Sequence, residues 1–111
     1  MRDYLGELEH VVLLAVLRLE GEAYGVTIRD EIRQQTGRVI SPGTIYPTLD
    51  RLERQGLVRS QTTEPSAVRG GRSRRVYELR PKGLAALRET HGMLRALGKG
   101  LDSVLSRPGD S

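Results

Sequence analysis

The sequence predicts a mainly α fold with one small β-hairpin, an α+β arrangement in the order α-α-α-β-β-α. Three observations carry that reading. Apolar residues recur at helical spacing in three stretches of the first half of the chain, and two short Val-, Thr- and Tyr-bearing runs flank a connector with Pro65, Gly70 and Gly71. A long amphipathic stretch then follows Pro81.

In residues 5–19, Leu5, Leu8, Val12 and Leu19 lie among so many other apolar side chains that the second half is apolar almost all round. Such a helix is covered on more than one side. Gly21 reads as a left-handed stop. Residues 26–36 form a shorter helix with Val26, Ile28 and Ile32 expected inward, closed by Gly37. Only residues 37–40 separate it from the next helix. There, Ser41 reads as an N-cap and Pro42 as a first helical residue, with Ile45, Leu49 and Leu52 following at i, i+4, i+7. Pro47 leaves two starts open. Either the helix begins at Pro42 with a loose first turn, or Thr44 is the effective cap and Pro47 falls in the tolerated first turn. Residues 57–63 and 73–79 read as the strands of a hairpin, and residues 81–105 as a last helix. Three helices with a tight second turn, followed by a hairpin, make a winged helix-turn-helix. The expected division is a DNA-binding domain over 1–80, a dimerisation helix over 81–105 and a disordered tail over 106–111.

Composition narrows the function. The chain has 111 residues, room for one domain with an appended helix, and no cysteine for a disulfide, thiolate metal site or nucleophile. The apolar run 11–17 is too short to span a bilayer, and Glu7 and Glu9 carry the wrong charge for a secretory signal. No membrane partner is expected, and the cytoplasm is the expected compartment. His10 and His91, the two histidines, lie on different predicted helices, and no acidic or histidine spacing resembles a metal or catalytic site. The chain therefore reads as a non-enzyme without a cofactor.

Charge is more telling. Residues 59–82 hold seven basic side chains against Glu64 and Glu78, a surplus of five, whereas the remainder holds eleven basic and twelve acidic. Excess positive charge confined to one segment is the footprint of a polyanion partner. Sixteen of the eighteen cations are arginine, whose planar fork suits phosphate. The face opposite Ile45, Leu49 and Leu52 offers Thr44, Tyr46, Pro47, Thr48, Arg51 and Arg54. In a helix-turn-helix the N-terminal half of this helix enters the major groove. The free amides at its start, near Ser41 and Gly43, make a natural phosphate site. In the hairpin, Gly70 and Gly71 permit close backbone approach, while Arg69, Arg72 and then Arg74 are the expected phosphate or minor-groove contacts. Arg75 shares a face with Tyr77 and is the candidate for a structural role. A winged-helix module that sets its basic hairpin on an acidic protein surface is the alternative.

The last predicted helix shows Leu84, Leu87, His91, Leu94, Gly98, Leu101 and Leu105 at alternating three–four spacing, with Ala86, Thr90, Met93, Leu97 and Val104 beside it. Two stripes suggest one face on the domain and one on a second copy. Together with the apolar surplus at Leu5, Leu8 and Val12, they predict a homodimer suited to a palindromic site.

Ser41-Pro-Gly-Thr-Ile-Tyr-Pro-Thr-Leu-Asp-Arg-Leu-Glu-Arg-Gln-Gly-Leu57 closely resembles the recognition-helix signature of the PadR family of transcriptional regulators. Ala23-Tyr-Gly-Val-Thr-Ile28 is similar to the motif opening that family's second helix, which brings Tyr24 among the candidate DNA-binding residues. Gly71-Arg72 and Val76-Tyr-Glu-Leu79 resemble its wing. The resemblance implies a dimeric winged-helix regulator of the short form, usually a repressor, with its C-terminal helix against the partner's N-terminal helix. Some members release DNA when phenolic acids or planar hydrophobic drugs bind near that interface. This chain has no Trp or Phe, so an aromatic stack there would draw on Tyr4 and Tyr24. Arg80 stands where the family usually has a Thr that would cap the last helix.

Overall fold

The computed structural model describes residues 4–63 and 74–106. Arg69, Gly70, Gly71 and Arg72 of the expected wing tip and the tail beyond Ser106 lie outside those residues.

α1 (Glu7–Leu19) places Glu7 and Glu9 in its first turn, against the positive end of the helix. Val12, Leu13, Ala15 and Val16 are buried, whereas Leu14 and Leu17 remain exposed. α2 (Gly25–Thr36) begins with the Tyr24 amide donating to Thr27 Oγ1 at 3.0 Å. It ends at Gly37, whose φ of 77° is the left-handed value that glycine adopts without strain. Ile28 and Ile32 face inward as expected, but Val26 is 51% exposed. Two residues span about 200° of helix, so Val26 and Ile28 cannot share a face.

α3 (Pro42–Arg54) resolves the open start: the helix begins at Pro42 with Ser41 in the cap position. The Ser41 hydroxyl bonds Thr44 Oγ1 at 3.1 Å and no backbone amide. Pro47 therefore lies inside the helix, and the Gly43 carbonyl receives no bond from it. Ile45, Leu49 and Leu52 are fully buried and carry the helix on the core.

β1 (Val58–Thr62) and β2 (Arg75–Leu79) pair antiparallel, with Val58 opposite Leu79 and Thr62 opposite Arg75. The Tyr77 amide donates to the Ala23 carbonyl at 2.7 Å, so the α1–α2 connection is tied to β2. Buried Tyr77 and Val58 close the core from the hairpin side, and burial raises the Tyr77 phenol above its ordinary pKa.

α4 (Pro81–Gly98) starts hard against the hairpin. The Arg80 amide donates to the Leu57 carbonyl at 2.9 Å, and a Cβ at Gly83 would collide with that same oxygen. The expected continuous helix to Leu105 is not formed. α4 stops at Gly98, Lys99 is extended, Gly100 takes a φ of 83°, and a single turn, α5 (Asp102–Leu105), follows. Gly98 and Gly100 each weaken a helix by roughly 1 kcal/mol relative to alanine, which favours a break between the two. Among the described residues no helix is long and apolar enough to cross a membrane.

Candidate nucleic-acid interface

The α2–α3 connection is pinned by Arg29, whose Nε donates to the Ile40 carbonyl at 2.6 Å. That bond fixes the angle at which α3 leaves the domain. Along its N-terminal half, Ser41, Gly43, Thr44, Tyr46 and Pro47 are exposed, as expected of a surface that enters a groove. Thr48 is not among them. It is 3% exposed, and its hydroxyl donates to the Thr44 carbonyl at 2.7 Å, so it serves the core side of the helix. Arg51 is exposed on the outer half and lies 4.0 Å from Glu9 of α1. Tyr46 leans on the start of α2, where a Cβ at Gly25 would strike its phenol ring. A side chain at residue 25 would therefore displace the Tyr46 ring from this position.

The hairpin base consumes much of the charge counted in the sequence. Arg59 pairs with Glu78 across the strands at 3.1 Å. Glu53, at the end of α3, accepts the Ser60 amide and hydroxyl at 3.0 and 2.7 Å and pairs with Arg75 at 3.2 Å. Arg75 is thus tied to α3 and β1 within the protomer. Lys82 Nζ donates to the Gln55 carbonyl at 2.9 Å, at the C-terminal end of α3 where a cation is favoured. Arg74 stacks on Tyr24, with its guanidinium carbon 4.4 Å from the ring centroid, and Nη1 donates to the phenol oxygen at 2.8 Å. Tyr24 and Arg74 are fifty residues apart, so no local pattern announces their contact.

A family model of the "Transcriptional regulator PadR-like family" matches residues 13–89, more than half of the chain. The chain belongs to this family. It is 42% identical over 80 residues to "Transcriptional regulator Rv3488" of Mycobacterium tuberculosis, covering 72% of this chain and 70% of that protein. The fold matches a PadR-like transcription factor from Bacteroides fragilis with a TM-score of 0.71 and 27% identity, over 87% of this chain and 88% of the other. It also matches the winged-helix DNA-binding protein F93 from STIV with a TM-score of 0.70, over 88% of this chain and 98% of that one. At 20% identity this last likeness speaks to the fold alone. The winged-helix reading is thereby established, and the family is one of transcriptional regulators rather than enzymes.

In this PadR-like chain the residues expected at a dimer seam divide. Val12 and Leu87 are buried within the protomer's own core, so neither is available to a partner. Leu5, Leu8 and Leu84 are half-buried, and the Leu5 amide donates to buried Thr90 Oγ1 at 3.1 Å. Beyond that point the helix leaves the core. His91, Leu94, Leu97, Leu101 and Leu105 are exposed, Leu97 at 73%. His10 of α1 sits at this divergence, its Nε2 buried without a hydrogen-bond partner among the described residues. Burial, then the charge of His91, holds its pKa below 6.5.

Proposed function

We propose that the chain is a homodimeric, sequence-specific transcriptional repressor of a palindromic operator, working in the cytoplasm. The observation that carries this reading is the exposed N-terminal half of α3 beside a hairpin with a localised basic surplus. In this reading Ser41, Gly43, Thr44, Tyr46, Pro47, Arg51 and the half-buried Tyr24 meet the duplex, and Arg69, Gly70, Gly71 and Arg72 supply the grip of the wing. Exposed leucines on α4 and α5 support pairing with a second copy. An effector at that interface would meet an open surface depression lined in part by Tyr4, Arg88, Gly92, Met93 and Leu97.

The test is the double substitution Arg69→Ala with Arg72→Ala, measured by duplex affinity across a salt series. Affinity should fall for any sequence, and the slope of log K against log salt should flatten by about two. Unchanged affinity and slope would refute the wing assignment and favour a basic hairpin built for an acidic protein.

A further inference from the structure

We propose that Arg74 is a positioning residue that locks the wing to the start of α2, and through it to the recognition helix. The inference rests on the DNA-binding reading and gives Arg74 a role other than the phosphate contact its sequence position suggests. Six contacts converge on one joint. The Arg74 amide donates to Thr63 Oγ1 at 3.0 Å, and its carbonyl accepts the Thr63 amide at 2.7 Å, so its backbone belongs to the rung that follows the Thr62–Arg75 pair. Its guanidinium covers the Tyr24 ring and donates to the phenol oxygen. The neighbouring Ala23 carbonyl accepts the Tyr77 amide at 2.7 Å, so side chain and backbone tie the same segment to β2. Gly25, next along, carries the Tyr46 ring of α3.

The chain of contact therefore runs from an exposed residue of α3, over Gly25 and Tyr24, to Arg74 and the hairpin. A wing held this way keeps a set angle to α3, so phosphate grip and groove entry fall in one register. The chemistry selects arginine: a planar guanidinium stacks on a phenol face while one of its N–H groups bonds the hydroxyl. Lysine keeps the charge but has no planar fork to do both.

The experiment uses the whole chain with Arg74→Lys, Tyr24→Phe and Arg74→Ala. In the free protein, hydrogen exchange of the Thr63 amide, which bonds the Arg74 carbonyl, is expected to quicken in all three. Binding to a duplex is expected to weaken about tenfold in Arg74→Lys, with the salt slope kept at its wild-type value. The Tyr24→Phe, Arg74→Lys double variant should expose the Thr63 amide no further than Arg74→Lys alone. Two results would overturn the proposal: unchanged Thr63 exchange in the variants, or wild-type binding by Arg74→Lys alongside a slope shallower by about one in Arg74→Ala. The latter pattern belongs to a direct phosphate contact. If the wild type bound no duplex, the DNA reading would fail, and the exchange data would still decide the joint.

Discussion

α3 and α4 carry similar apolar periodicity and use it in opposite ways. In α3, Ile45, Leu49 and Leu52 are all spent within the protomer, and what remains outside is polar, aromatic, proline or glycine. In α4, burial stops after Thr90, and Leu94, Leu97, Leu101, Val104 and Leu105 continue the pattern onto an exposed surface across the α4–α5 break. Periodicity tells that a face is to be covered; it does not tell by what. The distinction lies in what each helix reaches. α3 is bracketed by the Arg29 bond at its start and the Glu53 and Lys82 contacts at its end, whereas α4 is held over its first half, by Gly83 against the Leu57 carbonyl, by buried Leu87 and by the Leu5–Thr90 bond.

The sharpest way to break the comparison is to damage each stripe. Leu49→Ala empties a fully buried site and should cost about 2–5 kcal/mol, with a fall in melting temperature of roughly 10 °C or more. A loss under about 1 kcal/mol in thermal or urea unfolding would mean that α3 is not held as described. Leu97→Glu with Leu101→Glu should leave the fold intact by circular dichroism yet raise the dimer dissociation constant at least about a hundredfold, since each leucine buried is worth roughly 1.5–3 kcal/mol. Unchanged sedimentation of the pair would place any dimer contact elsewhere.

Smaller effects sharpen how α4 is set. No side chain caps the start of α4, where Arg80 occupies the cap position. Arg80→Thr should add about 1 kcal/mol and raise the melting temperature by several degrees; an unchanged or lower value would contradict the capping account. The smallest effect belongs to His10. Its lowered pKa means that the unfolded chain binds the proton more readily, so stability is highest above about pH 6.5 and is lost as pH falls through the folded-state value. Acidification from pH 7.5 to 5.5 should therefore lower the melting temperature more in the wild type than in His10→Gln. Equal losses would remove His10 from the account.

Much of the fold was legible because it is locally encoded. The α3 stripe, the glycine after α2 and the strand runs each announce themselves within a few residues. Thr48 was misplaced by its hydroxyl, although it stands three residues after Ile45 and four before Leu52, squarely on the buried face. Its polar group is satisfied within the helix, which is what allows it there. Val26 was misplaced in the opposite sense, by its apolar character against its angular position. The break at Lys99 was written in two glycines but hidden beneath an unbroken leucine spacing. The interface was only half legible. Charge surplus located the hairpin, yet the pairings of Arg59, Arg75 and Lys82 and the stack of Arg74 on Tyr24 join residues distant in sequence, and composition holds no record of them.

The most direct test of the central claim is selection of bound duplexes from a random pool, followed by the mass of the complex formed on the winning sequence. Two related half-sites about one helical turn apart (~10 bp), carrying two copies of the chain, are the expected result. A single unpaired site carrying one copy would contradict the dimeric reading, and no enriched sequence would contradict specific recognition itself.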